Sequence, residues 1–472
     1  MRRKPAPKSS FTGSFKSTPK NTSFDLTKIY PISTIDKDLD GIIKLEEHLI
    51  KVPFTLIGDK VLIKQINANK SIPMAQKVEL VEQAGRLNPI CSYYGKCGGC
   101  KAQHFPSKDY LNYKLQNIKN AIRHQTITDN LPPLDNLEII NHLDNPLGHR
   151  RRAIFSVKDG TIGFKEYRTN NVLSIKMCPL LTPNLNSFLV SMEKLLKNDH
   201  SKLGISEIIV ADLNEGINFD QTSSSKSSLD ILIKSSFKPD FAVLNALQSL
   251  FDKAFINRIL WQINDTEALP LIIKSPTKLY YGEHAVDFAG GGFLQVSNFG
   301  EKSLQEFVIK AINNNEDNQG KQQDFLITKN VLDLFCGFGG YSFKLEKNPQ
   351  ILKIKAYDVA KEAIMAINKV GVPKITAYLK DIFKDPLKVE ELNKADAIII
   401  NPPRIGALSQ VIEIEKSDNI KKIIMIYCNV ASFARDLKIL LSSGKFNIKI
   451  ITAVDQFIFS SHIEILAVLI KK

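Results

Sequence analysis

Long apolar runs and cysteines are both scarce in this sequence. No apolar segment reaches the length that spans a bilayer, and the first residues do not have the pattern of a signal peptide. Six cysteines in 472 residues are too few for a disulfide scaffold of this size. We therefore expect a monomeric protein of the reducing cytoplasm that has no membrane partner.

Acidic residues are missing from the first 24 positions, and basic residues outnumber them over the whole chain. Lys and Arg number 63 against 49 Asp and Glu, which gives a net charge of +14. This excess favours RNA or DNA as a partner, with an anionic membrane second and a merely soluble basic protein as the remaining alternative. Residues 1–32 are predicted to be a disordered basic tail that contacts phosphates, and a transit peptide is the less favoured interpretation.

Residues 33–87 alternate short apolar segments with turns, which is typical of a small β-barrel. Phe54–Ile63 is predicted to form two short strands around a turn at Gly58 and Asp59. Ala75–Val81 is predicted to be a further strand. A barrel of the oligonucleotide-binding (OB) type fits this pattern, and a few strands packed on the next domain are the alternative.

Four cysteines have a spacing that indicates a metal centre. Cys91, Cys97 and Cys100 lie close together, and the glycines between them let the backbone fold tightly around a metal. The fourth candidate ligand is Cys178, which precedes a proline. Zinc ribbons usually have two C-x-x-C pairs, whereas this chain has one, so a [4Fe–4S] cluster is favoured over zinc. Buried structural cysteines rank third.

Residues 88–285 are predicted to form a central α/β domain. Tyr110–Arg123 has the apolar periodicity of a helix. Basic and aromatic side chains alternate from His149 to Arg168, which fits RNA contacts and a solvated edge strand equally well. His104 and His149 are predicted to be structural histidines.

Polar segments divide the rest of the chain. Residues 222–228 are predicted to be a loop, and 313–324 a linker that leads into the most informative stretch. Gly290–Gly292 precede an aromatic residue and Gln295, which indicates close approach of the backbone to a ligand. The catalytic domain is therefore predicted to cover residues 286–472.

The stretch from Val331 to Ser342 combines an apolar run, a group of glycines and the start of a helix. Such a run fits a parallel strand buried on both faces, and the glycines let the backbone turn close to a ligand. The next strand ends at Asp358, where a carboxylate can accept hydrogen bonds from a ribose diol. Because Ser342 stands where a dinucleotide fingerprint has its third glycine, the loop resembles motif I of class I S-adenosylmethionine (SAM) methyltransferases. An ordinary strand-to-helix turn is the alternative.

Further polar residues follow predicted strands downstream. Asp381, Asn401 and Cys428 come after apolar runs, and the carboxyl ends of strands carry the ligands in doubly wound sheets. His462 and Glu464 precede the last apolar strand. Taken singly, Cys428 could be a small buried apolar residue and Glu464 a charge at a strand start.

Together these motifs resemble those of the RNA uracil-5 methyltransferase family. The likeness is greatest to the iron–sulfur 23S rRNA (uracil-5-)-methyltransferases with an N-terminal TRAM domain, and it covers residues 33–472. The matching segments are Cys91, Cys97, Cys100 and Cys178, then Phe293–Val296, Asp333–Gly337, Cys428-Asn429 with Ala434–Leu437, and His462–Glu464. The chain departs from the family's usual motifs at Gly340, at Asn401, and at Tyr427 and Val430 on either side of Cys428-Asn429.

The resemblance implies a C-terminal class I, Rossmann-like SAM domain, a central α/β iron–sulfur domain and an N-terminal TRAM barrel. It implies that Cys428 adds to carbon 6 of uracil as a thiolate with a depressed pKa, and that Glu464 removes the carbon 5 proton. The residues at SAM-contacting positions are Gln295, Phe335, Gly340, Asp358, Asp381 and Asn401. The four cysteines are expected to hold a [4Fe–4S] cluster, and the expected substrate is RNA, with ribosomal RNA ahead of transfer RNA.

Two other functions stay open at this point. Asn401-Pro402-Pro403 is typical of methyltransferases that act on exocyclic amines, although Arg404 stands where an aromatic residue usually follows. A catalytically inactive RNA-binding module is the other alternative, because Gly340 and Asn401 depart from the motifs of the family.

Overall fold

The computed structural model describes most of the chain. The described residues are 25–45, 48–67, 72–125, 134, 137–197, 204–213, 229–251, 253, 255–264, 266–316, 320–323 and 326–472. Most of the predicted basic tail, the predicted loop 222–228 and part of the predicted linker 313–324 lie outside them. The chain divides into two compact units, one up to Asn88 with His104–Pro106 and the other Pro89–Gln103 with Ser107–Lys472. Among the described residues, no helix has the length and apolarity needed to cross a membrane.

The first unit is built on a six-stranded, barrel-like sheet. Its strands are β1 (Ile29–Pro31), β2 (Thr34–Ile35), β3 (Gly41–Lys44), β4 (Leu49–Val52), β5 (Lys60–Asn67) and β6 (Met74–Glu82). They pair in the order β1-β5-β6-β4-β3-β2 and run antiparallel, except for β4 with β6. Ile43, Ile50 and Val61 belong to its apolar core. The strand predicted at Ala75–Val81 is confirmed within β6.

Phe54–Ile63 does not form the two strands predicted for it. Only its second half enters a strand, because the first half is a turn that Asp59 closes from within. The buried Asp59 carboxylate accepts hydrogen bonds from the N–H groups of Leu56 at 2.7 Å and Ala84 at 2.8 Å, and it pairs with Arg86. A buried carboxylate needs such donors, and they outweigh the strand preference of the apolar side chains around it.

The second unit begins with a seven-stranded sheet, helices and a hairpin. These elements are α1 (Ser107–Gln125), β7 (Ile139–Ile140), β8 (Arg152–Lys158), β9 (Thr161–Lys165), β10 (Val172–Ser174), α2 (Pro183–Lys197), β11 (Ile205–Asp212), β12 (Leu229–Ser235), α3 (Phe241–Phe251), β13 (Ile256–Ile263), β14 (Leu269–Ile273), β15 (Lys278–Tyr281) and β16 (His284–Asp287). The sheet order is β10-β9-β8-β11-β12-β13-β14. Phe188 of α2 and Leu247 of α3 pack against its buried residues, among them Trp261. The predicted helix Tyr110–Arg123 is confirmed within α1.

The remaining chain forms an eight-stranded sheet with helices. Its elements are α4 (Asn298–Asn313), β17 (Asn330–Leu334), α5 (Gly340–Leu345), β18 (Lys353–Asp358), α6 (Lys361–Val370), β19 (Ile375–Leu379), α7 (Val389–Leu392), β20 (Ala397–Ile400), α8 (Leu408–Lys416), β21 (Lys422–Tyr427), α9 (Val430–Ser442), β22 (Phe446–Val454) and β23 (Glu464–Lys471). The sheet order is β19-β18-β17-β20-β21-β23-β22-β7. β17 to β21 pair in parallel, whereas β23 runs antiparallel to both β21 and β22.

This sheet is covered on both faces, as its apolar strands require. Successive residues of a strand point to opposite faces, so Ile398 and Ile399 of β20 belong to two different apolar cores. The core with Ile399 includes Phe343 of α5, and the core with Ile398 includes Phe433 of α9. The structure thus confirms the Rossmann-like, doubly wound domain expected at the C-terminus.

The loop 455–463, which leads from β22 into β23, is held by helix α1. The Lys114 ammonium donates to Asp455 Oδ1 at 2.8 Å and to the His462 carbonyl at 2.7 Å. The Tyr110 hydroxyl donates to Asp455 Oδ2 at 2.7 Å. Lys114 and Asp455 are both buried, and the desolvation of Lys114 lowers its pKa despite the neighbouring carboxylate.

The cysteine-rich segment is attached to the same loop. The N–H groups of Lys101 and Ala102, which follow Cys100, donate to the Phe459 carbonyl at 2.7 and 3.0 Å. Phe459 adopts a left-handed backbone with φ of 61°, a conformation that costs energy for a side chain of this size. Two parts of the chain far apart in sequence therefore fix the path of the loop that ends on Glu464.

Replacing Lys114 with Met should destabilise the protein. The substitution keeps the volume of the side chain but leaves Asp455 buried without its cation, which costs about 3–5 kcal/mol of unfolding free energy for a buried ion pair. Urea denaturation measures this loss. Lys108→Met, at an exposed position of the same helix, is the matched control, and equal stability of the two variants would contradict the assigned role of Lys114.

Candidate active site

Five parallel strands, β17 to β21, end along one edge of the C-terminal sheet. β17 pairs in parallel with β18 on one side and with β20 on the other, so the strand order reverses there. Doubly wound sheets bind ligands at the carboxyl edge beside such a reversal. Phe335 follows β17, Asp358 ends β18, Asn401 follows β20 and Cys428 follows β21. The topology therefore brings four of the predicted site residues to this edge.

The glycine loop after β17 has the backbone of a ligand-binding turn. Phe335 adopts φ of 61°, and such strain in a residue other than glycine costs about 1–3 kcal/mol and is found mostly at functional sites. Gly339 stands at the N-cap of α5 with φ of 79°, a conformation that only glycine adopts without cost. Buried Asp333 accepts a hydrogen bond from the Ser342 hydroxyl at 2.6 Å, and its burial raises its pKa to about 6.

Asp358 is oriented by the backbone at the end of β18. Its Oδ2 accepts a hydrogen bond from the Gly337 N–H, and its Oδ1 accepts one from the Ala360 N–H, both at 2.8 Å. Each carboxylate oxygen retains a second lone pair for another donor. This is the arrangement needed to receive two hydroxyl groups of a ribose.

A cavity of about 980 Å³ opens at this edge, which is large enough for a nucleoside cofactor together with a base. The predicted site residues in its wall are Gln295, Phe335, Gly340, Asp358, Asn401, Cys428 and Glu464. The glycines Gly290–Gly292 also line it. Seven of the eight predicted catalytic and SAM-contacting residues are thus brought together.

Asp381 is the exception. Its Oδ1 accepts hydrogen bonds from the N–H groups of Phe383 at 3.2 Å and Lys384 at 3.3 Å, and its Oδ2 pairs with the Lys384 ammonium at 3.0 Å. The carboxylate thus closes its own turn after β19. Phe383, two residues further on, lines the cavity instead. This placement does not support the predicted contact of Asp381 with SAM.

Cys428 and Glu464 face each other because the last strand is reversed. In the antiparallel pairing of β21 with β23, Tyr427 is opposite Ile465. Because the two strands run in opposite directions, Cys428, which follows Tyr427, lies opposite Glu464, which precedes Ile465. Both side chains line the cavity. Glu464 is only 4% exposed, and this burial raises its pKa to about 7. A carboxyl group with that pKa can both accept and release a proton near neutral pH.

The Cys428 thiol does not have the depressed pKa expected of it. Its pKa is raised to about 11, first by burial and then by the nearby Glu464 carboxylate, whereas the Arg404 guanidinium lowers it. The prediction considered the reactivity that a thiolate needs but not the acidic group that the fold places beside it. In this form of the protein the thiolate is a minor species at neutral pH.

Gln456, which sequence reasoning missed, bridges two of the site residues. Its side-chain Nε2 donates to Gln295 Oε1 at 2.8 Å and to Glu464 Oε1 at 3.0 Å. Gln456 is 5% exposed. No sequence motif distinguishes this glutamine, because its role depends on the path of the loop 455–463. Arg404 was considered only as a departure from an amine-directed motif, yet it also lines the cavity.

Two arginines of the predicted basic–aromatic segment are internal. Arg151 is 6% exposed, donates from Nε to the Gln295 carbonyl at 3.0 Å and pairs with Glu301 at 2.5 Å. Arg150 lies beside the cysteines, where burial lowers its pKa and the thiols oppose that effect. Arg151 is therefore a buried charge and Arg150 a half-buried one, and both interact with groups inside the second unit.

The four predicted metal ligands are brought together in the second unit. Burial raises the pKa of Cys100 to about 12, with further contributions from Cys178, Cys97 and Cys91. The Gly99 N–H donates to Cys97 Sγ at 3.4 Å. Half-buried thiols with an N–H donor and a neighbouring arginine fit a metal centre, which binds them as thiolates.

The spacing of the four sulfurs bears on the kind of metal centre that they could form. In a tetrahedral zinc site with Zn–S bonds of about 2.3 Å, the sulfurs lie about 3.8 Å apart. Among the described residues, the groups whose ligand atoms all lie within 4.8 Å of one another are Glu283 with His284 and Glu346, and Asp36 with Asp38 and Asp40. The cysteines form no such group, so their sulfurs are not gathered as closely as the ligands of a single zinc ion.

The sequence is similar to known RNA methyltransferases. Residues 376–472 match the model of the tRNA (uracil-5-)-methyltransferase family. An uncharacterized RNA methyltransferase of Agrobacterium fabrum is 27% identical, over 94% of this chain and 100% of the relative. The 23S rRNA (uracil(1939)-C(5))-methyltransferase of Shewanella woodyi is 23% identical, over 96% of this chain and 98% of the relative.

The fold also has a solved counterpart. The Pyrococcus abyssi tRNA (uracil-54, C5)-methyltransferase, solved in complex with S-adenosyl-L-homocysteine, has a TM-score of 0.68 and 18% sequence identity. The match covers 94% of this chain and 100% of that chain, so it extends over both compact units.

The family-model match lies on the segment that carries Cys428 and Glu464, and the relatives match almost the whole chain. The chain is thus similar to RNA methyltransferases over almost its whole length, and to the tRNA (uracil-5-)-methyltransferase family over residues 376–472.

Proposed function

We propose that this protein transfers a methyl group from SAM to carbon 5 of a uridine in RNA, through a covalent bond between Cys428 and carbon 6. The observation that carries the proposal is the meeting of Cys428 and Glu464 at the cavity that Asp358 also lines. A nucleophile, a proton acceptor and a candidate ribose-binding carboxylate share one site of about 980 Å³.

Carbon 5 of uracil needs activation before it can accept a methyl group. The Cys428 thiolate adds to carbon 6, and the π electrons of the ring double bond move to form an enolate that is nucleophilic at carbon 5. The sulfonium of bound SAM supplies an electrophilic methyl group, and its transfer releases S-adenosylhomocysteine. Glu464 then accepts the carbon 5 proton, the ring double bond forms again, and Cys428 leaves as a thiolate.

The wall of the cavity has groups suited to SAM. Asp358 presents two oriented oxygens for the ribose hydroxyls. The Asn401 amide donates to the Tyr341 hydroxyl at 3.2 Å, which fixes the side chain after β20 at the same wall. Phe335 and Phe383 have ring centroids 5.1 Å apart and provide apolar surface for the adenine.

Ribosomal RNA is the proposed substrate class, with transfer RNA second. The net charge of +14 supports a polyanionic substrate, and a relative named for 23S rRNA matches over almost its full length. Deletion of the gene should abolish 5-methyluridine at one or more RNA positions, which mapping by mass spectrometry identifies. Loss of a methylated exocyclic amine instead would favour the amine-directed function, and unchanged RNA together with no SAM binding would favour an inactive RNA-binding protein.

Two substitutions should separate the roles of the catalytic pair. Cys428→Ala removes the attack on carbon 6, so no covalent RNA adduct can form. Glu464→Gln leaves attack and methyl transfer intact but cannot accept the proton, so the methylated base stays attached to Cys428. On a denaturing gel with SAM and substrate RNA, Glu464→Gln should show a slow band and Cys428→Ala none, while both lose turnover.

Cys336→Ala is the matched control for this pair. Cys336 also lines the cavity, but it lies in the glycine loop and is buried. An adduct that maps to Cys336, or activity that survives Cys428→Ala, would contradict the assignment of the nucleophile.

Arg404 should control the reactivity of the Cys428 thiol. Its guanidinium lowers the thiol pKa, which burial and Glu464 raise to about 11. Replacing Arg404 with Gln should raise that pKa by about half a unit, so alkylation of Cys428 by iodoacetamide slows about threefold at a pH below the pKa. Arg404→Lys keeps the charge and should react nearly as the wild type does. Equal rates in Arg404→Gln and wild type would contradict this role.

The four cysteines are proposed to hold a [4Fe–4S] cluster that stabilises the second unit. Their spacing exceeds that of a zinc site, and Arg150 offsets the negative charge of such a group. The cluster is not assigned a step in methyl transfer. Its structural role is supported by the bonds from Lys101 and Ala102 to the loop that precedes Glu464.

Anaerobically purified protein should be brown and contain about four irons per chain if the cluster is of this type. Cys178→Ser should lose iron, since it removes a ligand distant in sequence, whereas Cys336→Ala should keep it. Metal analysis and the visible absorption spectrum measure both. A colourless protein with one zinc per chain, or iron retained in Cys178→Ser, would refute the assignment.

A further inference from the structure

Gln456 links the side chain of Glu464, the proposed proton acceptor, to the side chain of Gln295. One hydrogen of its amide is directed at Glu464 Oε1 and the other at Gln295 Oε1, at 3.0 and 2.8 Å. Gln456 occupies its place tightly, because a Cβ atom on Gly300 would lie 2.4 Å from its Oε1. The packing of α4 therefore limits how far this side chain can turn.

The hydrogen bond from Gln456 is accepted by one oxygen of Glu464, Oε1. Among the described residues, the structure shows no hydrogen bond to the second oxygen, Oε2. A carboxylate that removes a proton from carbon needs one oxygen for the proton and benefits from a donor on the other, which holds its orientation. Gln456 supplies that donor from a position where it does not contact the reacting carbon.

The other groups around Glu464 do not replace this donor. The titratable groups whose charges interact with Glu464 include the Cys428 thiol and the Tyr341 hydroxyl, and the Arg404 guanidinium lines the same cavity. Other charged groups of this lining, among them Asp358 and Glu301, make no hydrogen bond to Glu464 in the described structure. The Cys428 thiol and the Tyr341 hydroxyl are made less acidic by Glu464 itself. The pKa of Glu464 is set by its burial, which raises it, and by the Gln456 hydrogen bond, which lowers it.

We propose that Gln456 is a positioning residue that keeps Glu464 ionised with Oε2 directed at the substrate, and that couples this carboxylate to Gln295 on the SAM side of the cavity. This inference rests on the proposed function for its catalytic consequence. The geometry of the bridge itself depends only on the fold.

The test replaces Gln456 with Met, which keeps the length of the side chain and removes the donor. Infrared difference spectroscopy of the substrate-free protein follows the carboxylic acid band of Glu464, identified by its loss in Glu464→Gln. The midpoint of its titration should rise by about one pH unit, because a charge-assisted hydrogen bond is worth at least this much. Gln456→Glu, which turns the donor into a second acid of the same size, should also raise the midpoint.

Gln410→Met is the matched control. Gln410 is a fully buried glutamine of the same sheet domain that bonds the Leu387 backbone and does not line the cavity. Gln410→Met should leave the midpoint of the Glu464 titration unchanged, even if it lowers the stability of the protein. An unchanged midpoint in both Gln456 variants would overturn the proposal.

The catalytic consequence is measured separately from the titration. With SAM and RNA, Gln456→Met should lose about fivefold in methylation rate at pH 7 and recover as the pH rises, because the acid form of Glu464 then persists to higher pH. A loss that is equal at every pH would show a merely structural role and overturn the proposal. If the wild type makes no 5-methyluridine, the proposed function fails, while the infrared midpoint still decides whether Gln456 controls Glu464.

Discussion

The antiparallel pairing of β23 with β21 determines what this site can do. Five parallel strands bring their carboxyl ends to one edge, and each can contribute only residues that follow a strand. The reversed last strand contributes its first residue to the same edge, so that Glu464 meets Cys428. A shift of one residue in this register would turn Glu464 to the other face of the sheet. The pairing of the proposed nucleophile with the proposed proton acceptor thus depends on backbone hydrogen bonds between two buried strands.

This register needs a loop of defined shape between β22 and β23. The buried Ile458 and Ile463 anchor the loop by packing, and polar contacts from distant segments add to this. The buried Lys114–Asp455 pair costs desolvation energy that its own attraction does not fully return. What it provides is a specific path for the loop, because the same ammonium also binds the His462 carbonyl two residues before Glu464. The cysteine-rich segment adds a second attachment at Phe459.

The position of Glu464 affects the pKa of two groups, its own carboxyl group and the Cys428 thiol. It raises the pKa of the carboxyl group into the range useful for proton transfer, and the same carboxylate makes the Cys428 thiol less acidic. The Arg404 guanidinium lowers the pKa of the Cys428 thiol, and the Gln456 hydrogen bond lowers the pKa of Glu464.

Much of the architecture could be predicted from local pattern. Apolar runs that end in a polar residue located β17, β18, β20 and β21, and the glycine spacing located the loop that turns beside the cavity. Motifs located the four cysteines and the proposed catalytic pair, Cys428 and Glu464. The contacts of Gln456, the internal roles of Arg150 and Arg151, and the turn at Asp59 could not be predicted, because each depends on partners far away in the sequence. The raised pKa of Cys428 was missed for the same reason, since Glu464 lies on another strand.

The identity of the covalent nucleophile is the central claim, and trapping it in the wild-type protein tests it most directly. An RNA substrate with 5-fluorouridine at the target position has no proton that Glu464 can remove from carbon 5, so the methylated adduct cannot break down. After digestion, mass spectrometry should find the nucleotide, with an added methyl group, attached to the peptide that contains Cys428. Attachment to any other cysteine, or methylated RNA with no covalent peptide, would contradict the account.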